Sequence, residues 1–597
     1  MASLSLPTPA EGRAPQPASP EAAPLPERAL LVVGLGGPVA ADYAAWAGAR
    51  GQCPVVFASA DVCRRADAPA GATDIVVFLG QRLSERARRA LDDALALAGE
   101  RGAKFGGVVS SFRAHLGDRD AIEAEEYVLA RARGLRARTA VFRPGHVLSP
   151  SSPVRAYLRR FGPFYPLVPR RLRSCCVEGD ELFAAIESER LAPGPRRGRL
   201  FTVLGPNLPW KDLLVRHRAK GLGPACLTAL SVLLSLLLVG HLAGLVLDLL
   251  ARRRPALRRW NFDTLRPRSL RELLALYNPY NYRHVKVVGY NNGVVHFGHR
   301  YPGRTVVSTV YCNRLRRAGP DGLKADCGAT VRQALDFLAG TGQELYVIPN
   351  YSYVCLGTAF FVPIHGSAAD FSTVADTITR VVLYDPVRDC LIAATRDEPA
   401  FREAVYNLKA DVLLLRLSLR VKPKSRYYVH REERTNPGSD ELLAALRDTK
   451  ATNVEVRQSK ASSDKVTLAR YYKDPGETPS PVLELPRDAL GRLWDRLEEN
   501  PVTSFLMHAL TRHFAWHVEL FFTAEEFGTF WAGHRALPLR KLQLRYVRRD
   551  GFPHSAFREH DCVSVDLFML RRHRRRFEAW LQQTFAVVRT NPGKHSR

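Results

Sequence analysis

The chain has 597 residues, which is too long for a single hydrophobic core, so two or more domains are expected. Its hydrophobic content of 46% and charged content of 24% exclude an intrinsically disordered protein. The net charge of +28 would suit nucleic acid, an anionic membrane or acidic substrates, but the sequence carries no nucleic-acid-binding motif, so we expect no nucleic-acid partner.

The first 222 residues predict a tail followed by an α/β domain. Residues 1–28 are rich in Ala, Pro and Glu without an apolar run, which predicts a disordered tail rather than a signal peptide. Residues 29–222 alternate apolar strand-like runs with Ala-rich helical segments, and this pattern predicts a parallel sheet wound on both faces. The predicted strands are 29–34, 54–58, 74–79, 105–111 and 139–142.

A glycine-rich turn directly follows the first predicted strand. Gly34 and Gly37 lie in this turn, where a pyrophosphate could approach the free amides of the next helix. With the later segments 74–79, 108–111 and 141–145, residues 29–215 resemble the extended short-chain dehydrogenase/reductase and nucleotide-sugar epimerase group. The resemblance implies a Rossmann-like NAD(P)-binding domain with Gly34 and Gly37 at the cofactor.

The chemistry of that group is not expected here. Its members use a Tyr-x-x-x-Lys pair for proton transfer, and the two corresponding positions fall on Gly117 and Ala121. The pair Tyr127 and Arg131 has the right spacing but lies too near Arg143. We therefore expect a fold that binds a nucleotide, NAD(P) being the candidate, without redox chemistry of its own.

A long apolar stretch separates the two halves of the chain. Residues 225–247 carry no Asp, Glu, Lys or Arg and would span roughly 35 Å as a helix, enough for the hydrocarbon core of a bilayer. Basic residues flank it, namely Lys211, Arg216, Arg218 and Lys220 before it and Arg252, Arg253, Arg254, Arg258 and Arg259 after it. Residues 223–252 are thus predicted to be either a transmembrane helix or an anchor in one leaflet. We favour the anchor, with both globular halves in the cytoplasm.

The segment 262–424 contains an ordered set of short motifs. A strand leads into the turn 289–293, a helix is predicted over 332–339, and a strand over 345–349 precedes the run 356–367. We interpret this last run as a buried strand that ends in a His–Gly turn. The order resembles the FAD-binding domain of the vanillyl-alcohol-oxidase/p-cresol-methylhydroxylase (PCMH-type) family, and it implies FAD contacts from nine residues: Gly289, Asn291, Asn292, Gly293, Gly357, Thr358, His365, Gly366 and Ser367.

Two histidine positions bear on how FAD would be held. Family members with covalent FAD often carry a His in the first turn, and residues 289–293 contain none, so non-covalent FAD is predicted. His365 lies in the His–Gly turn, where it is either a neighbour of the flavin or a structural histidine.

The remaining segment, 425–597, is predicted to be an α+β substrate domain. Residues 518–522, 542–547 and 593–594 resemble the sugar-1,4-lactone oxidase branch, in which a Glu-x-Arg pair and a terminal His-Trp-Gly-Lys run face the flavin. Here Gln543 and Asn591 replace the Glu and the His, which leaves Arg545 and Lys594 as the candidate catalytic residues. They would stabilise negative charge at the flavin edge or on a substrate oxygen, or else they are surface cations. His513 and His517 share one face if this stretch is helical, but they are too few for a metal site.

The sequence thus predicts a membrane-associated, FAD-dependent oxidoreductase. It would oxidise a C–H or CH–OH group of a sugar-derived, lactone or lipid-linked substrate by hydride transfer. Two alternatives stay open: a non-catalytic nucleotide-binding scaffold at the membrane, and a fusion that couples flavin oxidation to NAD(P)H reduction. The substrate, the electron acceptor and the oligomeric state are not predicted.

Overall fold

A computed structural model describes the chain from residue 29 to residue 592. The description excludes residues 36–37, 53, 59–72, 80–83, 101, 112, 115–117, 133–136, 169–171, 194–197, 218–221, 237–263, 290–300, 302, 350–351, 367–370, 426, 459–462 and 474–514. The chain divides into two compact units, Met1–Asn261 and Phe262–Arg597. Helices and sheets occur in both, which confirms the mixed α/β class.

Unit 1 is built on a six-stranded parallel sheet in the order β2-β1-β3-β4-β5-β8. The apolar runs form these strands, and β1, β3 and β4 are buried along most of their length, as expected for a sheet covered on both faces. A small second sheet has the order β6-β7-β9. The strands are β1 Ala29–Leu35, β2 Pro54–Ala58, β3 Thr73–Leu79, β4 Phe105–Val109, β5 Arg138–Pro144, β6 His146–Leu148, β7 Arg173–Glu178, β8 Arg199–Val203 and β9 Asn207–Pro209.

Seven helices accompany these sheets in the described part of unit 1. They are α1 Val39–Gly48, α2 Glu85–Glu100, α3 Arg119–Ala132, α4 Pro153–Phe161, α5 Gly179–Leu191, α6 Trp210–His217 and α7 Leu222–Leu236. No helix among the described residues is long and apolar enough to cross a membrane. The predicted membrane segment is described only up to residue 236, and residues 237–252 lie outside the description.

The described part of unit 2 contains three sheets. A three-stranded parallel sheet has the order β10-β12-β11, and an antiparallel sheet has the order β13-β14-β18-β16-β17 with β15 also paired to β18. Their strands are β10 Thr264–Leu265, β11 Val285–Val288, β12 Thr305–Ser308, β13 Leu315–Arg317, β14 Gly322–Asp326, β15 Gln343–Leu345, β16 Ile378–Asp385, β17 Cys390–Thr395 and β18 Leu413–Pro423. The helices of this part are α8 Leu270–Leu276, α9 Val331–Ala339, α10 Leu356–Phe361 and α11 Pro399–Ala404.

The third sheet has seven strands in the order β19-β21-β20-β23-β24-β22-β25. One face is apolar and forms a large core with helices α12 Ser439–Leu446, α13 Ala524–Gly533 and α14 Arg574–Thr584. The strands are β19 Tyr427–Thr435, β20 Asn453–Gln458, β21 Lys465–Lys473, β22 Ala515–Phe522, β23 Leu539–Val547, β24 Cys562–Leu570 and β25 Arg589–Thr590. Alternate residues of a strand point to opposite faces, and the second face carries polar side chains together with a small apolar cluster that includes Phe521, Val547 and Cys562.

One sequence expectation about local structure is wrong, and one condition stated in the sequence analysis is not met. Residues 356–361 form helix α10, not a strand, and the buried positions Leu356, Ala359 and Phe360 follow a helical spacing. His517 lies in strand β22, so it does not share a helix face with His513. In β22 every second residue faces the apolar core, and this period of two indicates a strand.

Candidate functional site

The polar face of the seven-stranded sheet brings together side chains from three neighbouring strands. Arg545 of β23 lies opposite Ser564 of β24, and Glu519 of β22 lies opposite Asp566 of β24. Directly opposite residues share a face, and so do residues two apart in one strand. Arg545, Ser564, Asp566 and Glu519 therefore lie on the same face, away from the apolar core.

Glu519 is the centre of the hydrogen bonding on this face. Its side chain is almost fully buried, with 1% of the residue exposed. Oε1 lies 2.6 Å from Nε2 of His365 and accepts a 2.8 Å hydrogen bond from Oγ of Ser564, while Oε2 accepts a 2.6 Å hydrogen bond from Nδ2 of Asn591. Asn591 also donates its backbone N–H to the backbone oxygen of Glu519. The buried carboxylate is thus held by three donors, which is how a protein stabilises such a group away from water.

His365 joins this centre from a different part of unit 2. A β-bridge pairs it with Thr373, and its Nδ1 lies 3.0 Å from the backbone oxygen of Gly366. Both ring nitrogens of His365 therefore lie within hydrogen-bond distance of protein oxygens. With both nitrogens engaged, His365 has no ring atom left for covalent attachment of a cofactor.

Arg545 has a different environment. Only 5% of the residue is exposed, yet Nε and Nη2 of its guanidinium have no hydrogen-bond partner among the described residues. The carboxylates nearby on this face each have another basic partner: Glu519 pairs with His365, Glu455 with Arg457, and Asp566 with His517. Arg545 is consequently a buried positive charge with N–H groups available to a ligand.

Gln543, which takes the place of the Glu in the lactone-oxidase pair, contacts a carboxylate on the adjacent strand. Its Nε2 donates a 3.2 Å hydrogen bond to Oε2 of Glu455 in β20. The register of β20 and β23 places Glu455 on the polar face as well. A carboxylate is therefore present beside this position, although the motif has lost its own.

The structure brings together three of the predicted cofactor residues, Gly289, Gly357 and Thr358. They contact other protein atoms at the positions where the resemblance implies a cofactor. A Cβ on Gly289 would lie 2.5 Å from Oγ1 of Thr358, and a Cβ on Gly357 would lie 2.6 Å from the backbone oxygen of Cys327. The amide of Gly357 also donates to that oxygen. These glycines are thus required for close packing of the chain around α10.

The other predicted residues are placed only in part. Gly366 is buried, and its amide donates to the backbone oxygen of Ser372. Gly34 is the buried sixth residue of β1, at the carboxyl end of the parallel sheet in unit 1. The remaining five, Gly37, Asn291, Asn292, Gly293 and Ser367, lie outside the described residues, as does the catalytic candidate Lys594.

In unit 1, the positions corresponding to the missing Tyr and Lys carry no catalytic group. Ala121 is buried in α3, and Gly117 lies outside the described part of the chain. The hydroxyl of Tyr127 donates to Asp92 of α2, and Arg131 forms an ion pair with the same carboxylate. The Tyr127–Arg131 pair thus joins two helices.

A second buried group lies next to the Glu519 centre. The hydroxyl of Tyr406 lies 2.8 Å from Oγ1 of Thr373, the bridge partner of His365. Burial raises the pKa of Tyr406 well above its ordinary value, so this phenol stays protonated. Tyr406 also adopts a left-handed backbone conformation, with φ of 60°, which is unusual for a residue with a side chain.

Sequence reasoning did not assign Glu519, Ser564 or Glu455 to the site. A usable signal was present in β22, where His517 and Glu519 alternate with the apolar residues Val518 and Leu520. A carboxylate in such a run must lie on the face opposite the core. Whether that face is open to water or buried depends on contacts with distant segments.

Comparisons with known proteins assign the chain to no family. No family model matches it, and no curated protein matches it. Among solved structures, a cholesterol oxidase from Brevibacterium sterolicum has a TM-score of 0.40 at 13% identity, with 55% of this chain and 82% of that chain covered. A variant of that enzyme scores 0.40 at 14% identity over the same shares, and a solvent-stable cholesterol oxidase scores 0.41 at 14% identity over 56% and 84%.

Proposed function

We propose that unit 2 binds FAD without a covalent bond and oxidises a CH–OH or C–H group of a sugar-derived, lactone or lipid-linked substrate. The observation that carries the proposal is the buried guanidinium of Arg545, whose Nε and Nη2 have no hydrogen-bond partner in the described part of the chain. A buried cation of this kind is costly unless a ligand supplies acceptor oxygens or negative charge. The carbonyl-rich edge of a flavin, which gains negative charge on reduction, meets that requirement.

The roles of the residues follow from this assignment. Bound FAD would accept a hydride from the substrate. Arg545 would stabilise the negative charge that develops at the flavin edge or on the substrate oxygen, where a preorganised donor is most effective. The pair Glu519–His365 would hold the adjacent segments rigid, because its carboxylate is fixed by three hydrogen bonds. Lys594 stays a candidate from the sequence for the same electrostatic role.

Non-covalent binding has two supports. The turn 289–293 contains no His, and both ring nitrogens of His365 already face oxygen acceptors. Gln543 and Asn591 replace two residues of the lactone-oxidase pattern, so the residues that support FAD binding do not single out a lactone as the substrate. Attachment to a membrane through residues 223–252 likewise stays a prediction of the sequence.

The test is the flavin content of the purified full-length chain. We expect a yellow protein whose flavin passes into the supernatant when the protein is denatured. Arg545→Met should lose most of the flavin. Arg457→Met should retain it, because Arg457 already has Glu455 as a partner on the same face. A colourless protein that does not take up added FAD would refute the proposal, and a yellow protein would then be screened with alcohols and lactones.

We also propose that unit 1 binds a pyridine nucleotide, as the fusion alternative requires. The strand order supports it, because the chain leaves β1 toward β2 on one side and then crosses to β3 on the other. Such a reversal opens a crevice at the carboxyl ends of the strands, where ligands bind in α/β sheets. Fluorescence titration with NADPH should saturate; a signal that stays flat at millimolar concentrations of the nucleotide would exclude this site.

A further inference from the structure

Helix α7 presents its apolar residues outward. Leu227, Leu230 and Val232 are exposed, with 52% of Leu230 accessible to solvent. Ser231, by contrast, is buried, and Thr228 is half-buried. A helix on a water-facing protein surface normally has the reverse pattern, with leucines inside and hydroxyls outside.

The polar side chains of α7 do not need water. Oγ1 of Thr228 donates a 2.8 Å hydrogen bond to the backbone oxygen of Pro224, and Oγ of Ser231 donates a 2.8 Å hydrogen bond to that of Leu227. Hydroxyls that bond to the preceding turn are satisfied within the helix itself. Both hydroxyls of α7 are therefore hydrogen-bonded within the helix, while Leu227 and Leu230 are exposed to solvent.

Two aromatic side chains extend this apolar surface. Helix α7 packs against the 3-10 turn Gly162–Leu167, which directly follows α4 in the chain. Tyr157 and Phe161 of α4 are both exposed, and their ring centroids lie 4.6 Å apart. We call the surface formed by α4, this turn and α7 the α4–α7 face.

Cations lie beside the α4–α7 face. Arg159 and Arg160 of α4 and Arg216 of α6 are exposed. Burial lowers the pKa of His217, and the positive charges of Arg216, Arg155 and Arg159 lower it further, while Glu178 opposes them. Helices α4 and α6 pack against each other through Leu158 and Leu213, so the arginines of these two helices belong to the same region of the surface.

We propose that the α4–α7 face binds the surface of an anionic lipid bilayer. Exposed leucines and aromatic rings next to clustered arginines are the combination by which a protein lies on such a surface, the apolar side chains entering the lipid and the cations meeting the headgroups. A second copy of the chain is a poorer partner, because it would bring the same cations against one another. The inference does not rest on the flavin proposal, since it concerns unit 1.

Vesicle flotation of the full-length protein tests this face. One set of vesicles contains phosphatidylcholine alone, and the other adds phosphatidylglycerol, each at low and high salt. We expect flotation with the anionic vesicles, weakened by salt. The variant Leu227→Glu/Leu230→Glu should lower the partition coefficient at least about tenfold, because burial of two leucines is lost.

A matched control separates the face from general surface hydrophobicity. Val387→Glu/Leu391→Glu changes two residues of unit 2 that are 68% and 62% exposed, and it should float as the unchanged protein does. Arg159→Glu/Arg160→Glu should reduce binding to anionic vesicles and remove most of its salt dependence. This variant leaves the apolar residues in place, so it tests the face even if the leucine variant folds poorly. Flavin content, which reports on unit 2, should be the same in all of them.

Three results would overturn the proposal. If the leucine and arginine variants float like the unchanged protein, these exposed residues do not attach the protein to the membrane, and a bilayer-spanning helix over residues 223–252 would explain the flotation instead. If the unchanged protein does not float with anionic vesicles, the face does not bind lipid. If the leucine variant instead converts a dimer to a monomer without any flotation, a second copy covers the face.

Discussion

Oε1 of Glu519 and Nε2 of His365 lie 2.6 Å apart, although 154 positions separate the two residues in the chain. Both side chains are buried, and the pair joins the polar face of the seven-stranded sheet to the segment that carries the predicted His–Gly turn. Ser564 and Asn591 complete the coordination of the carboxylate. The pair is thus one of several polar links between the two parts of unit 2, together with the bonds from Asn591 to the backbone oxygen of Pro363 and from the amide of Arg548 to Ser372.

Replacement of Glu519 by Gln should destabilise unit 2 strongly. Gln replaces one carboxylate oxygen by an NH2 donor, so one of the groups that contact Glu519 loses its acceptor, and an unsatisfied buried polar group typically costs about 1–3 kcal/mol. Urea unfolding, monitored by tryptophan fluorescence, would measure the loss. In a double-mutant cycle with His365→Asn, the two substitutions together should cost clearly less than the sum of their separate effects.

Glu433→Gln is the control for this experiment. Glu433 pairs with Lys465 at 3.4 Å, and both side chains are about two-thirds exposed. An exposed pair contributes little, so the change should stay within about 0.5 kcal/mol. Equal effects at Glu519 and Glu433 would show that the buried pair is not important for stability.

Arg545→Met should have opposite effects on the protein without cofactor and on cofactor binding. Met removes a buried charge with two unpartnered nitrogen atoms, so the apoprotein should be as stable or more stable. FAD should then raise the melting temperature of the variant less than it raises that of the unchanged protein. Thermal unfolding with and without added FAD measures both; a large loss of apoprotein stability would instead assign Arg545 a structural role.

Several elements could be predicted from the sequence because their signals are local. The apolar runs of β1, β3 and β4 form strands at the expected places. Helix α9 was expected over 332–339 and occurs at Val331–Ala339, where Thr330 and Gln333 form a capping box. Each of these depends on residues within a few positions of one another.

Other features depend on contacts between distant segments. Residues 356–361 are helical because α10 packs against Cys327 and Phe401, which no local pattern reveals. The loss of the Glu from the Glu-x-Arg pair puts lactone oxidation in doubt on sequence alone, but in the structure Glu455 of the neighbouring strand contacts Gln543. Arg545 was identified through the resemblance, whereas its lack of partners becomes visible only when the whole polar face is assembled.

Gly357→Ala should destabilise unit 2 by about 1–3 kcal/mol, the usual cost of overpacking a well-packed site. The new Cβ would lie 2.6 Å from the backbone oxygen of Cys327, which cannot move without shifting β14 and its neighbours. Gly340→Ala is the matched control, because nothing lies within 4 Å of its Cβ position. If both variants melt at the same temperature, the close approach around α10 is not as tight as described.

Gly289→Ala allows a rescue experiment. Its Cβ would meet Oγ1 of Thr358 at 2.5 Å, and this contact is with a side chain that can be shortened. Thr358→Ala should therefore recover part of the stability lost in Gly289→Ala. Recovery should be incomplete, since Sγ of Cys355 lies 3.1 Å from the same position. A double variant no more stable than Gly289→Ala alone would mean that Thr358 is not what excludes a side chain there.

The stability of unit 2 should fall as the pH rises toward 7 because of Asp550. Burial raises the pKa of its carboxyl to about 7, and the negative charge of Asp376 adds to this, while hydrogen bonds from Phe552 and Ser555 and the charge of Arg396 oppose it. Between the ordinary pKa of 3.8 and about 7, the folded protein keeps a proton that the unfolded chain has lost. Folding therefore costs more as the pH increases through this window, by at most about 1.4 kcal/mol per pH unit.

Asp550→Asn should remove this dependence, because the amide does not ionise. The variant should be more stable than the unchanged protein above pH 7, and the difference should vanish near pH 4.

Asp561→Asn provides a control of opposite sign: burial alone would raise the pKa of Asp561, but hydrogen bonds from the amide of Arg549 and the hydroxyl of Tyr546 lower it overall. That variant should be less stable than the unchanged protein throughout pH 4 to pH 8, because the stabilisation by Asp561 is lost only below its ordinary pKa of 3.8. Urea unfolding from pH 4 to pH 8 decides the matter, and parallel curves for the unchanged protein and Asp550→Asn would contradict the raised pKa.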